Sequence, residues 1–307
     1  MFNLIPELVL SFLRETFSAA NDKVTKTLAH QPSMYEETLD HILVCELAAT
    51  PPRFFAKDRV SVLLETHWLG ARWMYERWEI ADIAFFVIVR KAGTLVVRKV
   101  ALLQTKRLYS DELPGTELED TDYRIGIGRL VDRVERAVPL TNQRAFGFKE
   151  TSVYGAISAG SEQVQRIDTY MKTRHIPVYY GLYNPPSVPY AGLYPVSSKL
   201  ARKSTSNDLG CRILPAVDVY DALAKLTPGK SPTFKQLRSK KAKSASASYS
   251  QHGWRLEHFV ADEVMRCREG QIYEDAQDEN LSRLLYARSA PIAAAIAITI
   301  DFDENRV

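Results

Sequence analysis

Two apolar runs joined by a short glycine turn constrain this chain more than any other feature. Residues 80–90 (IADIAFFVIVR) and 95–106 (LVVRKVALLQTK) are rich in β-branched and aromatic side chains, which suit a pleated, half-buried surface. Lys91, Ala92, Gly93 and Thr94 lie between them, and a short glycine-containing connection of this kind predicts a β-hairpin. Near-continuous apolar strands are buried on both faces for part of their length. Such strands need helices on both sides, so the pattern predicts an α/β fold.

The flanking segments agree with that class. Residues 1–17 are apolar at helical spacing, with Leu4, Leu8, Phe12 and Phe17 near one face. Ser33 is the expected N-cap of a helix over 34–47, with Glu36 and Glu37 in its first turn, where the helix dipole favours acids. Residues 60–65 (VSVLLE) form the first expected strand. Ser161 caps a second helix to about Arg174, and residues 176–183 (IPVYYGLY) form a further strand, ended by Asn184-Pro185-Pro186. A short strand is expected over 211–214 and a short helix over 219–226. The order of elements is helix, three strands, helix, strand, which predicts an open mixed sheet with helices on its faces.

The organisation expected is an N-terminal helix (1–32), an α/β core (33–226), a basic mobile loop (227–250) and a helical C-terminal extension packed on the core (251–307). The 307 residues suffice for a substantial core without staples. Cys45, Cys211 and Cys267 are far apart, form no CxxC pair and read as reduced, mostly buried thiols, which disfavours a structural zinc site. The start carries Glu7 and Arg14 and lacks the layout of a signal peptide, and the apolar run 291–300 is too short to span a bilayer. A cytoplasmic protein with no membrane partner is expected. The net charge of +3 is compatible with a nucleic-acid partner without demanding one.

Chemistry concentrates at one end of the hairpin. Gln104 and Lys106 are two apart and share a strand face. Asp82 lies near the start of the preceding strand, and an antiparallel hairpin brings those two ends together. A carboxylate, an amide oxygen and an ammonium group then converge at one sheet edge. Phosphodiester hydrolysis uses such a set. A hard cation takes oxygen ligands and keeps its waters, and a nearby lysine offsets charge developing on phosphate.

With these residues the chain resembles the PD-(D/E)XK nuclease superfamily, the restriction-endonuclease-like fold, over roughly residues 33–183. The motif residues are Asp82 in Ala81-Asp82-Ile83 and the triplet Gln104-Thr105-Lys106. Ala81 stands where the family has proline, and Gln104 where it has an acid. The resemblance implies a restriction-endonuclease-like core and Mg²⁺, with Mn²⁺ as substitute. Asp82, Gln104, the backbone carbonyl of Thr105 and an upstream glutamate would be the metal ligands, and Lys106 would support the attacking water. For that glutamate Glu37 is the first choice and Glu36 the next, with Glu65 and Glu79 as rivals. First-turn acids such as Glu36 and Glu37 also occur simply to complement the helix dipole. DNA is the implied substrate and partner, and bacterial defence or restriction the implied setting, with room for a homodimer or a protein partner.

Other signals are weaker. Gln163 and Gln165 precede Tyr170 by the wrong spacing for the glutamine–tyrosine pair of related exonucleases, and read as exposed helical residues. His67 reads as structural. Trp68, Trp73, Tyr75 and Trp78 could stack on bases but fit a core cap better. Arg98, Lys99, Lys106 and Arg107 near the edge, and Lys230, Lys235, Arg238, Lys240, Lys241 and Lys243 in the basic loop, are candidate phosphate contacts. Two other readings stay open. Gln104 would suit a catalytically inactive nuclease fold that binds nucleic acid or a protein partner, and an unrelated α/β protein could end a hairpin in Gln-x-Lys by chance.

Overall fold

A computed structural model describes residues 2–68, 80–111, 144–194, 208–238, 249–274, 278–279, 281–282 and 292–303. The hairpin is its centre. Strand β3 (Ala81–Lys91) pairs antiparallel with β4 (Thr94–Arg107), with Ile83 opposite Leu103 and Lys91 opposite Thr94. Ala92 and Gly93 turn the chain with φ of 51° and 75°. Two successive left-handed residues give a turn whose twist matches that of the strands, and glycine adopts the second without strain.

The remaining elements, in chain order, are α1 (Glu7–His30), α2 (Glu36–Ala48), β1 (Arg53–Phe55), β2 (Val60–Trp68), β5 (Arg144–Phe148), α3 (Glu162–Arg174), β6 (Val178–Tyr183), β7 (Tyr190–Tyr194), β8 (Arg212–Pro215), α4 (Ala216–Leu223), β9 (Tyr249–Ser250), β10 (Gly253–Arg255), α5 (Leu256–His258, continued by a wider helical turn over Phe259–Val264), β11 (Gln271–Tyr273) and β12 (Ile292–Phe302). Among the described residues a mixed sheet runs β1-β2-β12-β3-β4-β6-β8-β10-β9, and β5 pairs with β7 separately. One flank of β4 is shared: β11 pairs with Arg98–Val100, and β6, parallel, with Leu102–Arg107. The fold is thus α/β around a large mixed sheet. The expected elements α2, β2, β3, β4, α3 and β6 occur in that chain order, with β1 between α2 and β2 and β5 between β4 and α3.

The C-terminus departs from expectation. The described part of residues 251–307 is not a purely helical extension: residues 256–264 are helical, but strands make up much of the rest. It supplies β10, β11 and β12, and β12 is buried between β2 and β3, antiparallel to the first and parallel to the second. The first and second expected strands are therefore not neighbours. The expected first-helix stripe is also rotated. Leu4 and Leu8 are exposed, while Val9, Leu10, Leu13, Phe17, Ala20, Val24 and Leu28 form the buried face. Phe17 meets Phe85 of β3 edge to face at 5.9 Å, which seats α1 on the sheet. Ser33 does not cap α2, whose N-cap position is Tyr35, whereas Ser161 caps α3 through Val164 N–H. Of the three thiols only Cys211 is buried, and Cys45 is exposed.

The basic loop is anchored at a few points where it is described, with residues 227–230 exposed. Phe234 and Leu237 are buried, Thr233 bridges to Val153, and Lys235 and Arg238 both face Glu150. Lys240, Lys241 and Lys243 lie outside the described residues, as do Trp73, Tyr75, Trp78 and Glu79.

Gly253 opens β10 with φ of 87°, and a Cβ there would sit 2.1 Å from the Ile213 carbonyl oxygen. Gly253→Ala is expected to cost about 3 kcal/mol, because left-handed strain and a backbone clash add. A urea midpoint matching wild type would contradict this close approach of β10 to β8.

Candidate active site

Helix α2 and the ends of β3, β4 and β6 meet at one point. On α2 the positions Glu36, Asp40, Leu43, Val44 and Leu47 lie on one face at helical spacing. Leu43, Val44 and Leu47 are buried in the core. That stripe carries two carboxylates to the sheet. Glu36 Oε2 is 3.2 Å from Lys106 Nζ, and Glu36 Oε1 accepts from the Arg107 backbone N–H at 3.1 Å. Asp40, one turn on, is 3% exposed. Its Oδ1 accepts from the Tyr183 hydroxyl at 2.6 Å, and its Oδ2 lies 2.8 Å from Thr105 Oγ1.

Asp82 continues the β3–β4 register to stand across from Gln104. Its Oδ2 accepts from Gln104 Nε2, from Thr105 N–H at 2.6 Å and, at 2.9 Å, from the Thr105 hydroxyl. The Thr105 hydroxyl has one proton and two carboxylate neighbours. It donates to one and accepts from the other, so one acid carries a proton. Burial, with the charge of Asp82 next, pushes Asp40 well above the usual carboxylate range. Of the two acids Asp40 is thus the one disposed to hold the shared proton and donate it to Thr105 Oγ1, leaving the Thr105 hydroxyl for Asp82.

Lys106 is 5% exposed. Burial alone would lower its pKa, but the charges of Asp82 and Glu36 outweigh it and raise the group above the usual lysine value. Lys106 is thus a held cation, suited to neutralising negative charge and unsuited to acting as a base. It stands at the sheet edge expected of it, but buried.

Of the residues singled out from sequence, Asp82, Gln104, Thr105, Lys106 and Glu36 come together. Glu37, the first choice for the helical acid, is exposed on the outer face of α2. Glu65 is exposed on β2, two strands from β3, and pairs with Ala297. His67 and Trp68 are exposed, and Trp68 meets His41 edge to face at 5.4 Å. Gln165 is exposed and Gln163 half-buried on α3. Lys99 and Arg107 are not phosphate contacts. Lys99 is fully buried, donates to Val264 O at 2.7 Å, and is pushed down to about 8 by burial. Arg107 is buried, donates to Pro32 O and stacks on Tyr109 at 3.7 Å. Asp40 and Tyr183 were missed.

Among the described residues no three acidic, histidine or cysteine side chains converge as a metal-binding group. A hard cation that keeps its waters needs only one or two carboxylates. Two oxygens fit that demand. All three bonds to Asp82 go to Oδ2, leaving Oδ1 without a hydrogen bond among the described residues. Gln104 must turn its amide nitrogen to Asp82, so its Oε1 is left buried and unpaired. With Asp40 protonated, Glu36 and Asp82 still exceed the single Lys106 ammonium in charge.

No family model, no curated protein and no solved structure matches the chain. Among the described residues no helix is long and apolar enough to cross a membrane.

Proposed function

We propose that the chain is a divalent-cation-dependent nuclease of the PD-(D/E)XK kind, hydrolysing phosphodiester bonds of DNA. The observation that carries this reading is the meeting of Asp82, Gln104 and Lys106 at the end of one hairpin, with Glu36 reaching Lys106 from the helix. Asp82 Oδ1 and Gln104 Oε1 are the oxygens that would hold Mg²⁺ or Mn²⁺. When bound, the cation would supply Lewis-acid stabilisation of charge on the phosphate and a more acidic water. Lys106 adds a fixed positive charge beside the reacting phosphate, where it stabilises the transition state more than the ground state. Glu36 orients that ammonium, and the Asp40–Thr105 pair holds Asp82 in place. A place in restriction or defence rests on the family resemblance alone.

The test combines cleavage of linear duplex DNA in Mg²⁺ or Mn²⁺ with calorimetry of metal binding to wild type and Gln104→Glu. A second carboxylate should tighten Mg²⁺ binding roughly tenfold, because ligand charge raises affinity for a hard cation. Cleavage should persist in the variant. If neither protein binds either metal, the catalytic reading is wrong. The second reading, a nuclease-like fold that binds nucleic acid or a protein without cutting, then replaces it. The uncharged Gln104 and the three protein donors already on Asp82 Oδ2 are what favour it.

A further inference from the structure

Near Asp82, Gln104 Oε1 is buried with no hydrogen-bond partner among the described residues, and the buried hydroxyls of Tyr180 and Tyr220 have no hydrogen-bonding neighbour there but each other. Gln104 and Tyr180 are register partners on β4 and β6, so their side chains leave the same face of the sheet. Tyr220 comes from α4 and meets the Tyr180 ring edge to face at 6.3 Å. Gln104 and Tyr180 are 0% and 1% exposed. Leaving a buried hydroxyl or amide oxygen unpaired costs about 1–3 kcal/mol, and a pair of phenols turned only to each other still leaves polar capacity unused, so the orphaned Gln104 Oε1 and this pair call for an occupant. Burial pushes the Tyr180 phenol well up, with Tyr220 and Asp82 adding to it, so the hydroxyl stays neutral and keeps its proton.

The chemistry of the three atoms defines what fits. Gln104 Oε1 only accepts, and each phenol both donates and accepts. Its amide is not free to turn, since the nitrogen serves Asp82. A water molecule matches this set, giving a proton to Gln104 and exchanging bonds with the phenols, within the two to four partners a buried water takes. An anion would meet the lone pairs of Gln104 and the charge of Asp82. An apolar group would leave Gln104 Oε1 unsatisfied.

We propose that Tyr180, Tyr220 and Gln104 form a water seat behind Asp82, and that the two tyrosines are positioning residues for the water used in hydrolysis. The second half of this rests on the nuclease reading; the seat itself does not. No covalent step involves the phenols. They fix the orientation of a water whose proton is lost only when it attacks phosphorus.

Three measurements separate the parts. A crystal structure of the wild-type protein should show an ordered water within hydrogen-bond distance of Gln104 Oε1 and at least one of the two phenols; its absence overturns the proposal. Tyr180→Phe, Tyr220→Phe and the double variant should then lower kcat roughly 10- to 100-fold while KM for DNA stays within about twofold. Thermal midpoints should change little, because the lost hydroxyls bond only each other and the seated water. Wild-type kcat in the double variant, with the water present, would overturn the positioning role and leave the nuclease reading standing. A falling midpoint that accounts for the lost activity would also overturn it, by showing a structural role. If the water is present and the wild-type protein cuts no DNA, the nuclease reading fails and the positioning role with it, while the seat is confirmed.

Discussion

Lys106→Met is expected to lower single-turnover cleavage by roughly 100- to 1,000-fold, the usual effect of removing one preorganised charge from a transition state. Methionine keeps most of the stem, so the packing loss is small. The charge loss is not. Glu36 is left with 18% side-chain exposure and one backbone donor, Arg107 N–H, and an uncompensated, mostly buried carboxylate costs about 1–3 kcal/mol. Lys106→Ala should cost more, because it adds a void. The same charge pattern sets the pH behaviour. Lys106 is raised above the usual lysine value, so its contribution to stability is complete below that value and is lost only as pH rises through the folded one. The rate should therefore show no alkaline limb from Lys106 at neutral or mildly basic pH. Cleavage within threefold of wild type in a folded Lys106→Met protein would remove the lysine from the mechanism.

Much of this site can be read from local sequence, because local patterns specify it. The β-branched runs and the Ala92-Gly93 turn define the hairpin, and the hairpin register places Asp82 against Gln104. The choice between Glu36 and Glu37 was also readable. Glu36 and Asp40 are four apart and continue the stripe of Leu43, Val44 and Leu47, whereas Glu37 lies on the outer face with His41 and Cys45. Counting the helical period through the apolar residues would have selected Glu36 and revealed Asp40. A carboxylate on a buried stripe is a stronger signal than an acid in a first turn, which the helix dipole explains without any site.

The C-terminal strand was not readable in the same way. Ala293, Ala294, Ala295 and Ala297 give the segment good helix propensity, which competes with the strand period of Ile292, Ala294, Ile296, Ile298 and Ile300. It is a strand because β2 and β3 need a partner between them, and both lie more than 200 residues earlier in the chain. Tertiary pairing of that range overrides helix propensity, and the alternation marks a strand without saying where in the sheet it lies. Lys99 was misplaced for a related reason. Lysine composition suggests a surface, and only the packing of α5 and its continuation over Phe259–Val264 against β4 reveals a buried ammonium bonded to a carbonyl.

Asp40→Asn and Asp40→Ala are expected to differ sharply, and the difference tests the proton assigned to Asp40. An acid held protonated in the folded state has its pKa raised. The folded protein then binds a proton that the unfolded chain has lost, so stability falls as pH rises from the ordinary carboxylate range, near 4, toward the folded value. Asparagine mimics the protonated acid. Its nitrogen can donate to Thr105 Oγ1, and its oxygen can accept from Tyr183. Asp40→Asn should therefore match or exceed wild-type stability near pH 8 and show a flatter stability curve between pH 5 and 8. Asp40→Ala should lose about 2–4 kcal/mol at either pH, since Tyr183 keeps a fully buried hydroxyl with no acceptor and Thr105 loses its second partner. Urea titrations of the three proteins at pH 5 and pH 8 make the comparison. If Asp40→Asn keeps the wild-type pH slope, Asp40 is ionised throughout, and the chain of hydrogen bonds from Tyr183 to Asp82 runs with a different set of protons.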